Sequence, residues 1–202
     1  MKPASLAVLA AALAAFAAFA QPPPGEPPQR FRGVLEQVDG DRLTVATEGD
    51  GSITVVLTPE TGINGLERRS LEDIVEGVFI GTTAARNAEG RWQATEVHIF
   101  PEEMRGAGEG HYPWDFPQTT MTNATVTGTA RARVGRRLEL AFAGGEEEVD
   151  VPPDVPVVAF TLADRTLLRP GIAVFVLGVP QPDRTVGAFA IVAETNGVKP
   201  PM

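Results

Sequence analysis

Both histidines of the chain, His98 and His111, flank one acidic, glycine-hinged stretch: RWQATEVHIFPEEMRGAGEGHYPWDFPQTTMTN, residues 91–123. The same stretch carries both tryptophans (Trp92, Trp114), the only tyrosine (Tyr112) and two of the four methionines (Met104, Met121). Imidazole with carboxylate suits Zn²⁺ or Cu²⁺, and a thioether donor tilts the choice toward copper. The candidate ligands are His98, His111, Glu102 and Glu109, with Glu103 and Asp115 close by and Met104 and Met121 as soft donors. Their spacing matches no metal motif such as His-x-x-x-His. The plainer alternative is that both histidines are surface or hydrogen-bonded side chains.

A second chemistry is recognition. Tyr112, Trp114 and Phe116 alternate with Pro113, Asp115 and Pro117. Prolines hold such a stretch extended, which places the three rings on one side. The rings serve either as glue in a seam or as a platform for a ligand or partner such as a sugar or peptide. Arg105 opens Arg-Gly-Ala-Gly-Glu-Gly, whose alternating glycines can form an anion-binding nest or simply a flexible turn. Glu109 would oppose an anion there. Arg105, Tyr112, Trp114 and Phe116 are therefore the candidate ligand- or partner-binding residues.

Nucleophilic catalysis has little to work with. There is no cysteine, and beyond residue 20 the only serines are Ser52 and Ser70, neither in a Gly-x-Ser-x-Gly context. A hydrolase pairing Glu or Asp with His is a third reading, but general acid–base work needs a convergence that spacing does not show. The expectation is a non-enzymatic protein.

The N-terminal MKPASLAVLAAALAAFAAFA (1–20) reads as a secretory signal peptide, with Ala18-Phe19-Ala20 as a small-x-small cleavage site. The apolar run is short for a membrane span, and none follows that is longer. Without cysteine there is neither lipid attachment nor a disulfide. A periplasmic address follows. Loss of Lys2 with the leader takes the net charge from −9 to −10. Phosphate backbones need the opposite sign, so nucleic acid is an improbable partner. An envelope protein or a small ligand is the expected partner class.

Residues 21–30 form a proline-rich tether. From Phe31 the chain alternates apolar and polar with turn signals at Asp39-Gly40 and Gly49-Asp50-Gly51, giving three short antiparallel strands. Ser70-Leu71-Glu72-Asp73 has a capping serine with an acid three residues on, which predicts a short helix. Strands over 78–85 and 91–100 follow. After the connector the order recurs at an offset near 94: Val55 falls on Val149, Gly77 on Gly171, Val97 on Ile191. Thr161-Leu162-Ala163-Asp164 repeats the cap. Glu146-Glu147-Glu148 reads as a solvated hairpin edge. The expectation is all-β: two tandem OB-like five-stranded barrels, each with a short helix between its third and fourth strands. The boundaries are 31–100 for the first barrel, 101–121 for the connector and 122–202 for the second.

GVLEQVDGDRLTVAT and SLEDIVEGVFIGTTAARNAEGRWQATEVHIF resemble an exported bacterial family of unknown function built of small OB-like β-barrel repeats. RGAGEGHYPWDFPQTTMTNATV resembles the connector of a proteobacterial subgroup sometimes called metal-transporter permeases. A permease needs several membrane spans, which this chain lacks. The resemblance covers most of 31–202 and implies the fold. It implies no catalytic residue.

Overall fold

The computed structural model describes residues 28–47, 51–132 and 135–201. The leader, the tether up to residue 27 and part of the turns expected at 49–51 and 133–135 lie outside those residues.

The chain is all-β. Its strands are β1 (Gln29–Asp39), β2 (Arg42–Thr47), β3 (Gly51–Val56), β4 (Gly62–Arg69), β5 (Phe79–Arg86), β6 (Trp92–Ile99), β7 (Gly110–Pro113), β8 (Thr119–Arg131), β9 (Arg136–Phe142), β10 (Gly145–Val151), β11 (Val157–Ala163), β12 (Ala173–Pro180) and β13 (Thr185–Ala193). Period-two alternation builds most of them: Leu43 and Val45 on β2, and Leu138 and Leu140 on β9, are buried while their neighbours are less so.

The strands close two five-membered rings. One runs β1-β2-β3-β13-β12 and back to β1; the other runs β8-β9-β10-β6-β5 and back to β8. Closure comes from parallel pairs, β3 with β13 and β10 with β6. Each ring thus takes three strands from one half of the chain and a hairpin from the other. Tandem barrels over 31–100 and 122–202 would have kept β5 and β6 with β1–β3. Instead β5 and β6 cross to the second half, and β12 and β13 cross to the first.

The crossing is made by two strands that alternation does not reveal. On β4, Ile63, Asn64, Gly65 and Leu66 are buried in succession, and β11 opens with Val157 to Phe160 buried in succession. Both are covered on two faces, so burial does not alternate along these stretches. They pair antiparallel with Leu66 opposite Phe160, and Ile63 opposite Ala163 mirrors Val157 opposite Arg69. Leu66 and Phe160 are 94 residues apart, so this pair marks a pseudo-twofold axis between the halves.

Each expected helix is a single 3-10 turn, at Leu71–Asp73 and Arg165–Leu167. In the first, the Asp73 carboxylate accepts from the backbone N–H and the hydroxyl of Ser70, as the cap pattern predicts. In the second the cap is Asp164, which accepts from Thr166 N–H, and Thr161 belongs to β11. With β4 and β11 in place, these turns follow a fourth strand rather than a third.

Three apolar clusters result. One fills each ring, around Leu35, Leu43, Val176 and Ile191 and around Ile80, Val97, Leu138 and Leu140. The third lies outside both rings, in the seam: Leu66, Phe79, Phe100, Met104, Val158, Phe160, Phe175 and Val192. Among the described residues no helix is long and apolar enough to cross a membrane.

Candidate functional site

The connector straps the seam. A 3-10 turn at Glu102–Met104 drops Met104 into the seam cluster, where it is 4% exposed. Arg105 ties the strap to the β5–β6–β8 side. It donates to Gly77 O at 2.8 Å and contacts Thr125 Oγ1 at 3.2 Å, while its guanidinium bonds Glu102. Next, β7 pairs antiparallel with the start of β8. Finally Asp115 bridges Arg30 and Arg32 of β1, and Arg30 stacks 3.8 Å over the Trp114 ring. One loop is therefore anchored on both rings.

Beneath it lies a cleft of about 990 Å³. Its walls are mainly apolar and aromatic: Phe100, Phe160, Phe175, Leu177, Val192 and Trp114 carry most of them. The polar groups on the wall are few, chiefly His98, Asn123 and Tyr112, with Arg30, Glu103 and Arg105 also lining it. This volume and this balance are those of small-molecule sites.

His98 is the unusual member. Alternation on β6, with Val97 inside the ring, puts it outside, but outside is the seam and not solvent. It is 2% exposed, with its ring 5.1 Å from that of Phe100 and 4.9 Å from that of Phe160. Burial pulls its pKa down to about 3, so the imidazole is neutral. Its Nδ1 has no partner, and neither does Asn123 Oδ1. Gly81, paired between them on β5, makes room for both. A Cβ there would collide with His98 Nε2 and lie 2.5 Å from Asn123 Oδ1. Gly108 of the strap, at φ +58, approaches on the other side: its Cβ would stand 3.0 Å from Asn123 Nδ2. Tyr112 sits beside them, its hydroxyl 3.3 Å from Asn123 Nδ2, and burial pushes its phenol pKa up.

Two residues along β6, Glu96 is 3% exposed, bonded to Thr83 Oγ1 at 2.6 Å through Oε1 and unpartnered at Oε2. Burial raises its pKa to about 7 against the opposing pull of Thr83 and Arg32. Sequence reading passes over both Glu96 and Asn123. Only the knowledge that β6 and β8 face a seam gives them meaning.

Three of the four candidate binding residues, Arg105, Tyr112 and Trp114, come together on the cleft. Phe116 does not. The chain reverses after Trp114, whose N–H bonds Thr119 O, and Phe116 is left 67% exposed at the tip of the turn. The metal candidates each have separate partners. His98 is among phenylalanines, His111 Nδ1 bonds Thr122 Oγ1 at 2.8 Å, Glu102 holds Arg105, and Glu109 accepts from Ala143 N–H. Among the described residues no three His, Cys, Asp or Glu converge. Ser52 and Ser70 bond Glu36 and Asp73. Glu148 and Asp150 engage Arg137, so the acid run at 146–148 is part of a charged hollow on the second ring.

No family model, curated protein or solved structure matches this chain.

Proposed function

We propose that this chain is a non-enzymatic, exported envelope protein that binds a small ligand in the cleft beneath the connector. The observation that carries the reading is the cleft itself: roomy, apolar, roofed by an ordered strap and lined by Tyr112 and Trp114. A connector that served only as glue would fill the seam instead of spanning a hollow in it. The leader at 1–20 and the acidic mature charge support export and argue against nucleic acid. We read each ring as an OB-type barrel whose fourth and fifth strands come from the other repeat. The strand order 1-2-3-5-4 and the parallel contact between strands 3 and 5 support this. That reading agrees with the resemblance to exported OB-like repeat proteins.

The test is direct. In a Trp92→Phe background, Trp114 is the sole tryptophan. Titration with 1-N-phenylnaphthylamine is expected to quench its emission saturably with one site per chain. No saturable change in Trp114 emission, with no heat of binding in calorimetry, refutes the reading.

A further inference from the structure

The pseudo-twofold axis supplies an internal comparison. On the wall built by β1, β12 and β13, three neighbouring positions across the sheet are Arg32, Phe175 and Val192. On the wall built by β8, β5 and β6 the matching three are Asn123, Gly81 and His98. In the first set Phe175 and Val192 are buried and apolar, and Arg32 lies 5.0 Å over the Phe175 ring while pairing with Asp115. The second is polar and recessed. The same fold therefore packs this position without a histidine or a glycine, and packing alone does not explain Gly81, His98 and Asn123.

The polar groups of this wall are not all paired. Asn123 Nδ2 donates to Ala107 O at 3.1 Å, a carbonyl that can only accept, so the amide orientation is settled and Oδ1 is an acceptor. A neutral imidazole has one donor nitrogen and one acceptor nitrogen. The Asn123 oxygen and the imidazole thus present two acceptors and one donor, and both Asn123 Oδ1 and His98 Nδ1 are buried and unpartnered. Even with the imidazole N–H turned on Asn123, one acceptor still lacks a donor. Neither arginine on the cleft wall among the described residues is free to serve: Arg30 is held by Asp115 and Trp114, and Arg105 by Glu102, Gly77 and Thr125.

We infer that the ligand of the cleft is an uncharged molecule with an apolar or aromatic body and one hydrogen-bond donor, a hydroxyl or N–H, given to the His98–Asn123 pair while the body lies against Phe175, Val192 and Phe160. This deepens the proposed function and rests on it. An anionic head is disfavoured, because the neutral imidazole cannot pair it and burying an unpaired charge is costly. A body with no donor leaves the acceptor unpaired.

Three matched probes separate the cases: 2-naphthol, naphthalene and 2-naphthoate, titrated calorimetrically into the wild-type chain at pH 7. The expected order is 2-naphthol tighter than either of the others by about tenfold or more, the discrimination typical of one buried hydrogen bond. His98→Val should bring naphthol and naphthalene close to equal. With only two histidines, long-range ¹H–¹⁵N spectra should show naphthol moving the His98 nitrogens and not those of His111. Because the order is read on the wild-type chain, the test survives a variant that fails to fold. Equal binding of naphthol and naphthalene, or tightest binding of naphthoate, overturns the inference while leaving a ligand cleft. If none of the three binds, and 1-N-phenylnaphthylamine does not either, the proposed function falls with it.

Discussion

Glu96→Gln should stabilise this protein, by an amount that grows as pH rises above about 4.5. The buried Glu96 carboxyl has its pKa raised from 4.5 to about 7. Its folded form therefore holds a proton that the unfolded form releases, over a window from about pH 4.5 to about pH 7. The proton-binding difference makes stability fall as pH rises through that window. Above it the full cost is present: two and a half pKa units amount to roughly 3 kcal/mol. Glutamine imitates the protonated acid, keeping an oxygen for Thr83 Oγ1 and removing the charge. Urea unfolding from pH 4 to pH 8.5 measures the difference. The variant and wild type should coincide near pH 4 and separate by roughly 3 kcal/mol, in favour of the variant, by pH 8. A difference that does not change with pH would show that Glu96 titrates normally and is hydrated. A variant less stable at pH 8 would show that the carboxylate is paired in the folded state.

The other predictions address the same seam. His98 has its pKa lowered to about 3, so the unfolded chain takes up a proton first and stability is lost as pH falls from about 6.5; His98→Val should remove roughly 2–3 kcal/mol of that loss between pH 6.5 and pH 4.5, read from the same unfolding curves. Gly81→Ala drives a Cβ into His98 and Asn123 and should cost about 1–3 kcal/mol. Combining it with His98→Val should recover part of that cost, and strict additivity in the double-mutant cycle would show that the two residues do not touch. Asp115→Ala frees Arg30 and Arg32 from their ion pairs, and proteolysis within 105–116 should become fast at native conditions while the wild type resists. Equal resistance in the variant would mean that β7, Met104, Arg105 and Glu109 suffice to hold the strap.

Much of the fold is legible in the sequence. The alternation of Leu43, Val45, Leu138 and Leu140 and the 94-residue recurrence locate most strands. Alternation tells which side of a strand is apolar, however, and not which strand lies beside it. The hairpin of β5 and β6 would satisfy its apolar face against either half, and so the exchange is invisible in the pattern. The consecutive burial of Ile63 to Leu66 and of Val157 to Phe160 hides β4 and β11 for the opposite reason, since a strand covered on both faces has no polar beat. At the site, the crowding of rare residues at 91–123 points to the loop that spans the seam, and Tyr112, Trp114 and Arg105 of that loop line the cleft. Phe116 goes astray because a turn interrupts the extended run. Gly81 and Asn123 come from distant strands, and no local spacing links them to His98.

The exchange of hairpins sets the order in which this protein can become itself. During synthesis β1, β2 and β3 emerge first, yet their ring lacks two walls until β12 and β13 arrive, well over a hundred residues later. The other ring is complete once β10 is out, at Val151. The strands made first are therefore the last to find their partners. Until then they expose unpaired edges and the apolar faces of Leu35, Leu43 and Val45. A chain built this way completes its second ring first and closes its N-terminal ring only when the C-terminal hairpin arrives.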